Sequence, residues 1–135
     1  MNHIEQLYLQ IIHNTCTQTS SNITISQDVS ISLINLAQTQ SSLPFLLPYI
    51  KDSSLLANIK YQTKLMMLNY YQIEQFTRRI ADLFDANNIS YILLKGISLA
   101  AFYPVPEYRQ LGDVDIYING KEMFNRANAL LLANG

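Results

Sequence analysis

Residues 91–118 read YILLKGISLAAFYPVPEYRQLGDVDIYI and alternate short apolar runs with turn residues. The run at 91–96 is typical of a strand buried on both faces. A short helix is predicted next, and Pro104 should end it. After a loop, the β-branched residues of 113–118 predict a second strand. This order of strand, helix and strand decides the fold class.

Helical patterns lie on both sides of this stretch. Residues 54–87 predict one long helix of about 50 Å, enough to bend or to overhang into a partner. Its apolar face comprises Ile59, Met66, Ile73, Phe76, Ile80 and Leu83. The Asn pair at 87–88 should end this helix. A last helix is predicted over 121–135, with Phe124, Ala127, Leu130 and Leu131 facing inward.

The first fifty residues predict shorter elements. A helix is expected over 3–13 and another after Ser26, which is a suitable N-cap. Between them, the polar tract at 14–22 is expected to be a loop, and residues 23–26 alternate as in a short strand. Two prolines then interrupt the segment LPFLLPYI at 43–50.

Together these elements predict an α/β protein of the α+β kind, with a helical N-terminal region followed by the start of a mixed sheet. We place a boundary between residues 1–88 and residues 89–135. A two-stranded sheet is marginal alone, and a third strand would be the natural continuation. Another chain, identical or different, could complete the open sheet edge, so the oligomeric state stays open.

Composition narrows the class of protein. The chain has 135 residues, 49% of them hydrophobic, which is enough for a core of its own. Its net charge is −1 and its basic residues are scattered, so a nucleic-acid partner is not indicated. No apolar run reaches the roughly 18 residues that a bilayer-spanning helix needs. The single cysteine and the lack of a secretion signal in the first residues predict a cytoplasmic protein without membrane contact.

Asp113 and Asp115 stand one residue apart at the start of the predicted second strand. Because residues i and i+2 of a strand share a face, both carboxylates should project together, with Cα atoms about 7 Å apart. Like charges held this close favour a cation between them. Mg²⁺, or Mn²⁺ in its place, suits the pair because such an ion takes one or two carboxylates together with substrate phosphates. Two acids on a solvated strand edge are the alternative interpretation.

The segment from Lys95 to Ser98 has features that suit a phosphate. Gly96 allows close backbone approach to a ligand, and the helix that follows offers free N–H groups to an anion. Lys95 and Arg109 supply cations. Each side chain also has a structural alternative. Lys95 could extend into solvent, Ser98 could cap the helix, and Arg109 could pair with one of the two aspartates.

In residues 91–118, a strand ending Leu-Lys-Gly, a short helix, a Tyr-Pro loop, an Arg and Gly-Asp-x-Asp follow one another. This pattern resembles the nucleotidyltransferase superfamily of the DNA polymerase beta type. It is most similar to the bacterial branch of uncharacterised nucleotidyltransferases, and the resemblance extends over residues 43–135.

The resemblance implies that Gly96 and Ser98 hold a nucleoside triphosphate, and that Asp113 and Asp115 bind the catalytic metal ions. It further implies transfer of a nucleoside monophosphate to a hydroxyl acceptor. The sequence leaves open both the identity of that acceptor and the preferred base.

One implied feature is missing from the sequence. The superfamily uses a third carboxylate on a later strand, whereas only Glu122, on a predicted helix, follows Asp115. We therefore expect poor or no turnover unless further sequence or a partner completes the site. The alternative function is a non-catalytic nucleotide-binding or regulatory subunit that acts through a protein partner. A glycosyltransferase that uses Asp-x-Asp is a second rival, which the short chain and the Leu-Lys-Gly strand disfavour.

Overall fold

The computed structural model describes residues 2–19 and 23–134. Its helices are α1 (His3–Thr17), α2 (Gln27–Thr39), α3 (Ser53–Ala86), α4 (Ile97–Ala100) and α5 (Lys121–Asn134). Its strands are β1 (Ile92–Leu93) and β2 (Ile116–Tyr117), and short 3-10 segments cover Leu43–Leu46 and Pro106–Tyr108. The predicted α+β class, with a helical N-terminal region, is confirmed.

The long helix α3 forms within one residue of its predicted bounds. Asp52 caps its start, because the carboxylate accepts hydrogen bonds from the N–H groups of Ser54 and Leu55 at 3.0 and 2.9 Å. The bond from Leu55 first, then one from the Ser54 hydroxyl, and last that from the Ser54 N–H group hold the pKa of the Asp52 carboxyl below its usual value. At the other end Asn88 takes the left-handed conformation with φ 53°, as the sequence predicts for this Asn pair.

Two hydrophobic clusters pack against α3, one toward each end of the helix. The first joins α3 to α1, to α2 and to the segment around Leu43–Leu46. Its buried members are Ile11, Leu33, Ala37, Leu43, Leu46, Ile50 and Ile59. The second joins α3 to the sheet and to α5, and its buried members are Ile80, Phe84, Ile89 and Ala127. The long helix therefore connects the N-terminal helices with the strands.

The two strands pair antiparallel, with Ile92 opposite Tyr117 and Leu93 opposite Ile116. This hydrogen-bonded pairing is shorter than the sequence predicts. The prediction that residues 91–96 are buried on both faces is wrong, because Ile92 is 59% exposed. One face of the sheet packs on the second cluster through Ile116, and the other face meets solvent.

The N-terminal region also departs from the predictions. Residues 14–17 belong to α1, because the hydroxyls of Thr15 and Thr17 donate to carbonyls four residues earlier and leave the helix intact. Residues 23–26 form no strand. Residues 18 and 19 lie outside the helix, as predicted. Residues 20–22 of the predicted loop and the final predicted helical residue, 135, lie outside the described residues.

Two aromatic residues are more exposed than the helical pattern predicts. Phe76 of α3 and Phe124 of α5 were expected to face inward, yet they are 53% and 56% exposed. Their neighbours Ile80 and Ala127 occupy the buried stripe instead.

Within the described part of the chain, no helix combines the length and the apolarity that a bilayer crossing requires.

Phe84 is the largest fully buried side chain of the second cluster. It is fully buried and meets Tyr91 edge to face, with ring centroids 5.5 Å apart. Phe84→Ala should lower the free energy of unfolding by about 3–5 kcal/mol, because it removes buried apolar area and leaves a cavity. Urea denaturation measures this change. Phe76→Ala, on the exposed side of the same helix, should change it by less than about 1 kcal/mol. Equal effects of the two substitutions would contradict the packing described.

Candidate functional site

The middle of α3 holds the loop that leads to the two aspartates. Asn69 donates its Nδ2 to the Leu111 carbonyl at 2.6 Å, and the Tyr71 hydroxyl donates to Oε1 of Glu107 at 2.6 Å. The second bond lowers the pKa of Glu107 and raises the pKa of Tyr71. The segment before Asp113 is thus fixed against the long helix.

Aromatic contacts attach the same loop to the 3-10 segment Leu43–Leu46. The buried ring of Phe45 stacks on Tyr103, with centroids 6.2 Å apart, and lies tilted against Tyr108 at 6.0 Å. Such pairs stabilise a contact beyond the area that they bury. The Tyr-Pro loop is therefore held at two places, by Phe45 and by α3.

Gly96 brings the predicted phosphate segment against the aspartate segment. It precedes α4 with φ 54° and ψ −113°, a conformation that side-chain-bearing residues rarely adopt. A Cβ atom at this position would lie 3.4 Å from the carbonyl oxygen of Asp113. The Leu94 N–H group, two residues earlier, also donates to the Asp115 carbonyl at 2.9 Å. The two segments that the sequence singled out are therefore neighbours.

Lys95 and Asp115 form an ion pair across these segments. The Nζ atom lies 3.0 Å from Oδ2 of Asp115. That oxygen is shielded from solvent and, apart from this ion pair, has no hydrogen-bond partner among the described residues. The bond to Asp115, the charge of Asp115 and then that of Asp113 raise the pKa of Lys95. The sequence did not predict this pair, because it assigned Lys95 to phosphate or to solvent.

The two carboxylates lie on the extended segment leading into β2 rather than within its paired residues. Asp113 is exposed and Asp115 is half-buried. Glu122 stands in the first turn of α5, also exposed. No group of three or more His, Cys, Asp or Glu side chains in the described ranges is placed to hold a metal ion. The available set is a carboxylate pair, which is the number that Mg²⁺ commonly takes from a protein when phosphates supply other ligands.

Arg109 stabilises the turn at Gly96 through hydrogen bonds. Its Nε donates to the Gly96 carbonyl at 3.0 Å, and one terminal nitrogen donates to the Tyr103 hydroxyl at 3.1 Å. The guanidinium carbon also lies 5.5 Å from the centre of the Tyr103 ring. The alternative in which Arg109 pairs with an aspartate is wrong, since among the described side chains it makes no ion pair with either.

Ser98 stabilises the start of α4, but not as the N-cap that was predicted. Its hydroxyl and its N–H group both reach the Lys95 carbonyl, at 3.0 and 3.1 Å. Gly96 occupies the N-cap position, so the alternative in which Ser98 caps the helix is wrong. The hydroxyl nevertheless lies in the turn that carries Lys95.

Sequence reasoning missed three side chains that position the site. Tyr103 is the tyrosine of the Tyr-Pro loop in the pattern at 91–118. Its place in that pattern could have marked it as a residue of the site. Asn69 and Tyr71 gave no signal, because their partners in the loop lie 42 and 36 residues away along the chain.

The fold, with its adjoining Lys-Gly and Asp-x-Asp segments, has the features of a nucleotidyltransferase-type protein. A family model described as uncharacterised nucleotidyltransferase matches residues 32–135, and the chain belongs to that family. The resemblance seen in the sequence is thereby confirmed. No curated protein and no solved structure matches the chain.

Gly96→Ala should destabilise the protein by about 1–3 kcal/mol, because alanine is strained at the positive φ of this position. Thermal or urea unfolding measures the loss. Gly112→Ala is the matched control, since a Cβ there meets no atom within 4 Å. It should change stability by no more than about 0.5 kcal/mol. If Gly96→Ala proved as mild as Gly112→Ala, the positive φ assigned to Gly96 would be refuted.

Proposed function

We propose that this protein is a Mg²⁺- or Mn²⁺-dependent nucleotidyltransferase that transfers a nucleoside monophosphate from a nucleoside triphosphate to a hydroxyl acceptor once a third carboxylate, from further sequence or a partner, completes the site. Membership of the nucleotidyltransferase family supports the class of reaction. The observation that carries the proposal is the contact between the Gly96 turn and the Asp113 backbone. It puts a turn suited to phosphate beside two carboxylates suited to a metal.

Asp113 and Asp115 would be the metal ligands. The buried Oδ2 of Asp115 supports this role, because a shielded carboxylate oxygen requires a positive partner and, among the described residues, its one partner is the largely exposed Lys95 ammonium. Asp113 offers an exposed carboxylate two residues away. When bound, the metal would supply charge neutralisation for the triphosphate and its leaving group.

Lys95, Gly96 and Ser98 would contact the triphosphate. Lys95 is largely exposed beyond its pairing with Asp115, so its ammonium can reach a phosphate once that carboxylate is otherwise neutralised. The Ser98 hydroxyl lies in the same turn. Arg109, already bonded to the Gly96 carbonyl, would act by holding the turn in shape.

In the proposed reaction the acceptor oxygen forms a bond to the α-phosphorus, and the bond from that phosphorus to the β-phosphate oxygen breaks. Pyrophosphate leaves with the electron pair, and the hydroxyl proton passes to water. Lys95 would neutralise charge on the departing phosphates, which is the main task for protein groups in phosphoryl transfer.

The double substitution Asp113→Asn, Asp115→Asn should weaken Mg²⁺-dependent binding of nucleoside triphosphate by at least about tenfold, because it removes both anionic ligands. Calorimetric titration of ATP, GTP, CTP and UTP, with and without Mg²⁺, measures the effect. The control Asp82→Asn, Asp85→Asn removes two exposed acids of α3 and should leave binding unchanged. Binding that survives the first pair of substitutions would reject the metal site.

Lys95→Met should tighten the binding of Mn²⁺ to the nucleotide-free protein by about two- to fivefold, because the metal no longer competes with an ammonium for Asp115. The same variant should bind Mn²⁺-ATP more weakly, since it lacks a cation for the phosphates. Electron paramagnetic resonance of free Mn²⁺ reports both affinities. Lys64→Met, an exposed lysine of α3, serves as control. Unchanged or weaker Mn²⁺ binding by Lys95→Met would contradict its role.

A second candidate is a nucleotide-binding subunit that performs no chemistry itself and acts through a protein partner. The Lys95–Asp115 ion pair favours it, because it neutralises Asp115 without any metal. Nucleotide binding that fails to respond to Mg²⁺ and to the two aspartates would favour this candidate over the enzyme.

A further inference from the structure

A cleft of about 410 Å³ lies between α2, α3 and the segment that precedes the aspartates. Its walls comprise Gln38, Ser41, Leu43, Gln62, Leu65, Met66, Asn69, Gln110 and Leu111. The volume falls within the range of about 300–1,000 Å³ that is usual for small-molecule sites. Nothing in the proposed metal and phosphate site uses this space.

The lining of the cleft is neutral. Side-chain amides and apolar groups form it, and no Lys, Arg, Asp or Glu of the described residues contributes. Gln38, Gln62 and Gln110 make no side-chain hydrogen bond to the described protein atoms, so their donors and acceptors are available to a ligand. Leu65 and Met66 add an apolar wall. A neutral ligand with hydrogen-bonding edges and an apolar face fits these walls, whereas a phosphate or a cationic group does not.

The cleft adjoins the aspartates through the backbone. Leu111 lines it and precedes Asp113 by two residues, so their Cα atoms are at most about 7 Å apart. Asn69 lines it too, and its hydrogen bond to the Leu111 carbonyl at 2.6 Å fixes this wall relative to α3. The Leu111 wall of the cleft is therefore fixed against α3 and lies within two residues of the first proposed metal ligand.

We propose that the cleft binds the base of the nucleoside triphosphate and sets which base is preferred. This inference rests on the proposed function, which fixes the phosphate end of the nucleotide beside Asp113. A nucleobase is neutral, carries donors and acceptors on its edge, and is tethered to those phosphates. Gln62 and Gln110 would read its edge, while Leu65 and Met66 cover its face.

Calorimetry with Mg²⁺ compares ATP, GTP, CTP and UTP with tripolyphosphate, which lacks both base and sugar. At least one nucleotide should bind at least about fivefold more tightly than tripolyphosphate and than the weakest of the four. Gln62→Met, Gln110→Met keeps the length of the side chains and removes the amides. It should abolish the differences among the four nucleotides. Gln72→Met, an exposed glutamine of α3 outside the cleft, should keep them.

The possible outcomes distinguish failure of the base pocket from failure of the proposed function. Equal binding of the four nucleotides, or discrimination that survives in the double variant, would overturn the base pocket. If tripolyphosphate and every nucleotide fail to bind, the proposed function fails and the base pocket fails with it. If tripolyphosphate binds but the base contributes nothing, only the base pocket fails. Unfolding curves of each variant confirm that the fold is retained.

Discussion

The structure depends on one long helix that is fixed at three places. Toward its start α3 packs into the first hydrophobic cluster through Ile59, and toward its end it packs on the sheet through Phe84. Between these clusters Asn69 and Tyr71 hold the loop that leads to the aspartates. Because most helical stability in proteins comes from tertiary packing, these contacts and the Asp52 cap stabilise this helix of 34 residues. The site is therefore positioned by side chains far from it in sequence.

The charges of the site explain why Lys95 lies against Asp115. A carboxylate oxygen that is shielded from solvent requires a positive partner, and Lys95 provides one for Asp115. The Gly96 turn permits this because it lets the two segments approach without a side chain between them. Arg109 holds the turn from the other side through the Gly96 carbonyl. The same cation can serve Asp115 or a phosphate, which links metal binding to nucleotide binding in the proposed function.

The sequence predicts local features well because they depend on neighbouring residues. The bounds of α3 and its left-handed end at Asn88 follow from short patterns. The burial of the strand was mispredicted, since an apolar run cannot distinguish one covered face from two. The Lys95–Asp115 pair was missed because it joins residues twenty positions apart. The predicted domain boundary after residue 88 stays a prediction.

The central claim is that the Lys-Gly and Asp-x-Asp segments form one metal and nucleotide site. Backbone amide NMR in the presence of Mn²⁺ and ATP tests it most directly, because the metal broadens signals of nearby nuclei. The account predicts that signals of residues 95–98 and 113–115 broaden together, while those of α1 stay sharp. It also predicts that Asp113→Asn, Asp115→Asn removes the effect. Broadening of one segment without the other, or of neither, would contradict the account.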